Sequence, residues 1–126
     1  MKPISDNTDN VEITVYNWLM DHADGWPVSG DIPTGKERPS KFIIYDRTGG
    51  GRQSMVLDQA EILVEVYDQN SRYDASQKAQ ELADNVQDML QYENVTHVDV
   101  NSLVHLDDPQ NGYHRYQLYI NVYQRR

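Results

Sequence analysis

Hydrophobic and polar positions along the chain alternate between the two periods of regular secondary structure. Val11, Val15, Trp18, Leu19 and His22 fall at i, i+4, i+7, i+8 and i+11, one face of a helix. Asp9 and Glu12 stand at the reciprocal spacing of a capping box ahead of it, and Asp24-Gly25 marks its end. A stripe of this kind is the face a helix lays on a sheet, so Trp18 is expected in the core. Lys41 to Arg47 reads as a strand by composition, and Asp58 to Tyr67 alternates with period two. In the latter Ala60, Ile62, Val64 and Val66 share the face that must be buried. Glu61, Leu63, Glu65 and Tyr67 share the other, so Glu65→Lys is expected to be nearly silent for folding. A second helix, capped by Ser71 or Asp74, carries Ala75, Ala79, Leu82, Ala83, Val86, Met89 and Leu90 at steps of three and four. Its alanines allow close approach to a sheet, while Lys78, Glu81, Asp84 and Asp88 are expected to form a solvated face.

Two more strands follow, Val95 to Leu106 and Tyr113 to Arg125, joined by the turn-rich Asp107-Asp108-Pro109-Gln110-Asn111-Gly112. In the last strand Tyr116, Leu118, Ile120 and Val122 face the core, and Arg115, Gln117, Tyr119, Asn121, Tyr123 and Arg125 face away. That second face has the tyrosine and arginine content of protein interfaces. The summed order, α-β-β-α-β-β, predicts an α+β domain spanning residues 1–126, with an antiparallel sheet of about four strands packed on two helices. A long loop at 25–40, with a short extended piece around Pro27 to Ile32, is an interface candidate because segments of that length in small domains often bind.

Composition narrows the function. Leu, Ile, Val and Phe supply 28 of 126 residues and the mean hydropathy is −0.78, so the core is thin. Nine tyrosines add apolar area with a polar tip, suited to the margin of a fold or to another chain. A net charge of −9 repels phosphate backbones and argues against sequence-specific nucleic-acid binding. The absence of cysteine excludes disulfides, thiolate metal sites and a cysteine nucleophile. No stretch approaches the roughly 20 apolar residues of a bilayer span, and no membrane partner is expected.

Thr48-Gly49-Gly50-Gly51-Arg52 is the one conspicuous motif. A glycine run can cradle a phosphate, but that requires a helix directly after it, and Met55 to Tyr67 reads as extended. A hairpin tip needing positive φ, or an interaction loop, fits the context better. Of the four histidines only His97 and His105 share an expected strand face, and eight residues of strand hold them roughly 26 Å apart, too far to grip one ion. No nucleophile elbow or catalytic triad is visible, so neither an enzyme nor a cofactor is expected.

The order of these pieces resembles the tail terminator proteins of long-tailed, non-contractile bacteriophages. The likeness lies in an opening helix, a strand running into Arg47-Thr48-Gly49-Gly50-Gly51-Arg52, then Asp58-Gln59-Ala60 leading to Val64-Glu65-Val66-Tyr67. An alanine-bearing helix and a closing Tyr113-His114-Arg115-Tyr116-Gln117-Leu118 strand complete it. The resemblance implies a virion protein assembled in the host cytoplasm and placed at the tail–head junction. It implies a homohexameric ring that caps the major tail tube protein, stops its polymerisation and joins a head-completion or connector protein. DNA would pass through the lumen without sequence-specific contact. Alternatives are another neck component and a small nucleotide-binding protein using the Gly49 to Gly51 loop. The interface residues expected on this reading are Gly49, Gly50, Gly51, Arg52, Arg115, Tyr119 and Tyr123.

Overall fold

Beta-branched and aromatic residues recur along the long extended segments, and these segments pair into one sheet. The computed structural model describes residues 10–33, 38–52, 57–107 and 112–125. The Asp9 cap, Gln53 and Ser54, and Asp108 to Asn111 of the last turn lie outside them. Helix α1 (Asn10–His22), strands β1 (Val28–Ser29), β2 (Lys41–Arg52) and β3 (Leu57–Asp68), helix α2 (Arg72–Asp84), a 3-10 helix (Val86–Gln91) and strands β4 (Val95–His105) and β5 (His114–Arg125) follow in order. The sheet runs β1-β2-β3-β5-β4.

The α+β class stands, with two corrections to the sheet. It has five strands and is mixed, because β1 pairs parallel with β2 through Val28–Ile43 and Ser29–Ile44. Trp26 explains this: its buried indole draws the start of the 25–40 segment onto the sheet edge, where the Ile43 N–H donates to the Pro27 carbonyl at 2.8 Å. A two-residue strand has no period to read in sequence. The second correction is length. β2 continues through the glycines to Arg52, with a register shift between Arg47 and Gly49, so the glycine run is strand rather than hairpin tip.

Both helices and the 3-10 helix cover one face of the sheet. Val15, Trp18, Leu19, Ile62, Val64, Val66, Leu82, Met89, Leu118, Ile120 and Val122 form its sealed core. Burying side chains of this size stabilises by about 1.5–3 kcal/mol each before chain entropy is counted. Ala75 and Ala79 are wholly buried, which lets α2 lie close to β3 and β5.

The second helix is capped by Ser71, whose hydroxyl accepts from the Asp74 N–H at 3.0 Å. It does not continue to Leu90 as one α-helix. The Asn85 carbonyl accepts from the Trp18 indole at 3.0 Å and from the Asp88 N–H at 3.1 Å, tightening the next turn to 3-10. Val86 and Met89 stay in the core and Leu90 is turned out to solvent.

Lys78 is also corrected: it is 5% exposed, not solvated. Its ammonium closes the C-terminus of α1, donating to the His22 carbonyl at 2.8 Å and to Asp24 and Glu81 at 3.0 Å each. Carbonyls left over at a helix C-terminus attract a cation, and the long lysine stem buries easily. Asp24 and Gly25 take positive φ, 53° and 91°, as the chain leaves that helix. Lys78 and the solvated-face residue Asp88 thus both tie α2 and its extension to α1, the latter through His22 at 3.0 Å.

Candidate functional site: the uncovered sheet face

Side chains alternate across a strand, so the residues opposite the core form a second sheet face that no helix covers. The pairing registers order it into rows. Gly51, Gln59, Tyr123 and His97 make one row, and Gly49, Glu61, Asn121 and Asp99 the next. Asp46, Leu63, Tyr119 and Ser102 follow, then Ile44, Glu65, Gln117 and Val104, and finally Phe42, Tyr67 and Arg115. Gly49, Gly51 and Tyr123 therefore gather at one end of the face, Tyr119 stands in its middle row, and Arg115 stands at the other end. Arg52 lies at the end of β2, its side chain outside the described residues.

The Arg115 end is closed by aromatic rings. Phe42 stacks on Tyr67 at 4.6 Å between centroids, and Tyr113 meets both edge-on at 5.5 and 5.9 Å. The Tyr113 hydroxyl donates to the Pro39 carbonyl at 2.7 Å, anchoring the far end of the 25–40 segment. With Trp26 buried at its start and Pro39 held at its end, the described ends of that segment are committed to the chain's own fold.

Glu65 sits beside this cluster, 8% exposed, which runs against the expectation that Glu65→Lys is nearly silent for folding. Its carboxylate accepts from Gln117 Nε2 at 2.8 Å and the Tyr67 hydroxyl at 3.3 Å, with the Arg115 guanidinium 3.6 Å away. Burial pushes the Tyr67 hydroxyl above its ordinary range; its Arg115 hydrogen bond opposes that rise and the Glu65 charge adds to it. One signal of this second cluster was available in sequence. Phe42-Ile43-Ile44-Tyr45 is apolar without alternation, the mark of a strand covered on both faces.

The other end is wetter. Gln59 donates to Asn121, Asn121 donates to Asp99 at 3.0 Å, and His97 meets Asp99 at 3.2 Å. The His97 ring lies 5.4 Å from that of Tyr123. Tyr119 and Tyr123 are half-buried, Tyr123 in the row of Gln59 and His97 and Tyr119 in that of Leu63 and Ser102. A surface of this kind can pair with another protein without a large apolar penalty when left bare.

Gly50 alone among the three glycines is required by the backbone. It has φ +107°, and a Cβ there would collide with the Gln59 carbonyl oxygen; a Cβ on Gly51 would meet nothing. All three glycines are paired to β3, and among the described residues the next element after them is that strand and not a helix, so the phosphate-cradle alternative gains no geometry.

The histidines are also redistributed. A register shift between Val100 and Ser102 turns the end of β4, so His97 and His105 do not share a face. His105 stacks on Tyr116 at 4.6 Å and contacts Asp107, with His114 3.7 Å from the same carboxylate. Burial works upward on the Asp107 carboxyl, but the His105 hydrogen bond, the Arg115 N–H and the charges of His105 and His114 together hold it below its ordinary value. Among the described residues no group of three or more His, Cys, Asp or Glu is placed to hold a metal ion, and no helix is long and apolar enough to cross a membrane. Neither the models of known protein families nor the curated proteins compared with this chain match it.

Proposed function

We propose that this chain is a structural assembly protein of the tail-terminator kind. Copies would form a ring, homohexameric on the resemblance, that caps a phage tail tube, stops its growth and joins it to the head connector. The observation that carries the reading is the uncovered sheet face bearing Tyr119 and Tyr123 beside hydrogen-bonded Gln59, Asn121 and Asp99. Such a surface is polar enough to stay soluble alone and aromatic enough to gain from docking. The net charge of −9 suits a channel through which a phosphate backbone must slide without sticking.

Adding the protein to polymerising major tail tube subunits, viewed by negative stain, tests the reading. Short capped tubes with annular particles are expected, and tubes that grow unabated overturn it. Capture by the head connector without any effect on the tube would move the protein to another neck position.

A further inference from the structure

Strand alternation sorts the charges of this sheet between its two faces. On β2, Lys41 lies over the Trp26 ring on the helix-covered face, 4.9 Å from its centroid, and Arg47 pairs with the core residue Ile62 on that same face. Asp46, between them along the strand, stands on the uncovered face, where Glu61 of β3 and Asp99 of β4 join it. Arg125 and Arg115 mark the two ends of that face on β5, and Arg115 is drawn to Glu65 at 3.6 Å. The four rows between them hold no lysine or arginine among the described residues. His97 reaches Asp99 at 3.2 Å, but Asp46 and Glu61 are exposed and, among the described residues, in ion-pair contact with no cation. Gly49 makes room for the Glu61 carboxylate, which lies across β2 where a Cβ on that glycine would press on it. The acids frame an apolar centre, Leu63 paired with Tyr119, both half-buried.

We infer that this patch docks a protein surface that sets lysine or arginine side chains around an apolar centre of its own. Charge chooses that occupant. An apolar partner would bury Asp46 and Glu61 without a counter-charge, and burying an unpaired carboxylate is costly. A second copy laid on the patch by two-fold symmetry would set Asp46, Glu61 and Asp99 against the same three acids. A phosphate backbone is repelled by them. The chain's own bases are few, 11 against 20 acids, and Lys41, Lys78 and Arg115 are engaged within the fold. The partner is therefore a different and more basic protein. On the ring reading, on which this inference rests, it is the last ring of tail tube subunits.

The test uses the full chain in the tube-capping assay, with folding checked by circular dichroism and self-association by light scattering. Asp46→Asn with Glu61→Gln removes two charges from the patch and keeps the side-chain shapes. Asp21→Asn with Asp84→Asn removes two from exposed positions on the helices. The concentration that halves tube growth is expected to rise about tenfold for the patch pair and to stay native-like for the helix pair. Added salt is expected to raise it more for the native chain than for the patch pair. Equal capping by the native chain and the patch pair overturns the inference and leaves the ring reading standing. An equal loss from both pairs does the same, since it reports net charge alone. A patch pair that loses self-association before any tube is added also overturns it, because the patch would then face another copy. A native chain that never halts tube growth removes the ring reading and this partner with it.

Discussion

Val64 and Glu65 are neighbours in β3, both buried, on opposite faces of one sheet, and they show how differently those faces are built. Val64 points into the cluster of apolar side chains covered by α1, α2 and the 3-10 helix. Glu65 is covered by no helix; Phe42, Tyr67 and Tyr113 shelter its end of the sheet, and its charge is met by Gln117, Tyr67 and Arg115. At Val64 the first face offers a charge no partner. The second accepts a charge because its hydrogen bonds are supplied by the next strand and a ring hydroxyl.

The sharpest way to break the contrast is Val64→Asp, which strands a carboxylate among apolar groups and should cost about 5 kcal/mol, enough to unfold a domain of this size. Loss of cooperative thermal unfolding by circular dichroism is the expected result; a native melting curve would put β3 in the opposite phase. Glu65→Lys should cost less, about 3 kcal/mol, because it sets an ammonium against Arg115 in a half-sheltered site. Glu65→Gln, which keeps an acceptor for Gln117 and Tyr67, should recover most of that in urea titration.

Gly50→Ala comes next, at about 2 kcal/mol, since a left-handed φ and a carbonyl contact both oppose a Cβ. Gly51→Ala, with open space around it, should change the urea midpoint little. Equal effects from the two would mean that the glycine run does not follow the register described.

The smallest effect is in acid. Lys78, by its hydrogen bond first and then its charge, holds the Asp24 carboxyl below its ordinary value of 3.8. A carboxyl lowered on folding contributes stability that is full above the ordinary value and is lost as the pH falls through the lower, folded one. Asp24→Asn tolerates the positive φ and removes this contribution. Its melting temperature should lie slightly below the native one near neutrality, and the two should converge in strong acid. A gap of constant size down to the lowest pH would show that the Lys78 contact contributes nothing through charge.

The sequence by itself determined what depends on neighbours along the chain. Period gave α1, period and the Ser71 cap gave the first part of α2, alternation gave the core faces of β3 and β5, and their order gave the α+β class. Tyr119 and Tyr123 were likewise legible as an outward face, because a strand's two sides follow from counting. Tertiary structure decided whatever depends on groups distant in the chain. Lys78 and Glu65 look like surface residues until the end of α1 and the side chain of Gln117 arrive to meet them, and a charge is buried only when its partners are. Asn85 breaks α2 because Trp18, 67 residues away, claims its carbonyl. The bulges in β2 and β4 relocate the glycines and His105, because one extra residue in a strand shifts every side chain after it to the opposite face, and only pairing reveals where that residue is.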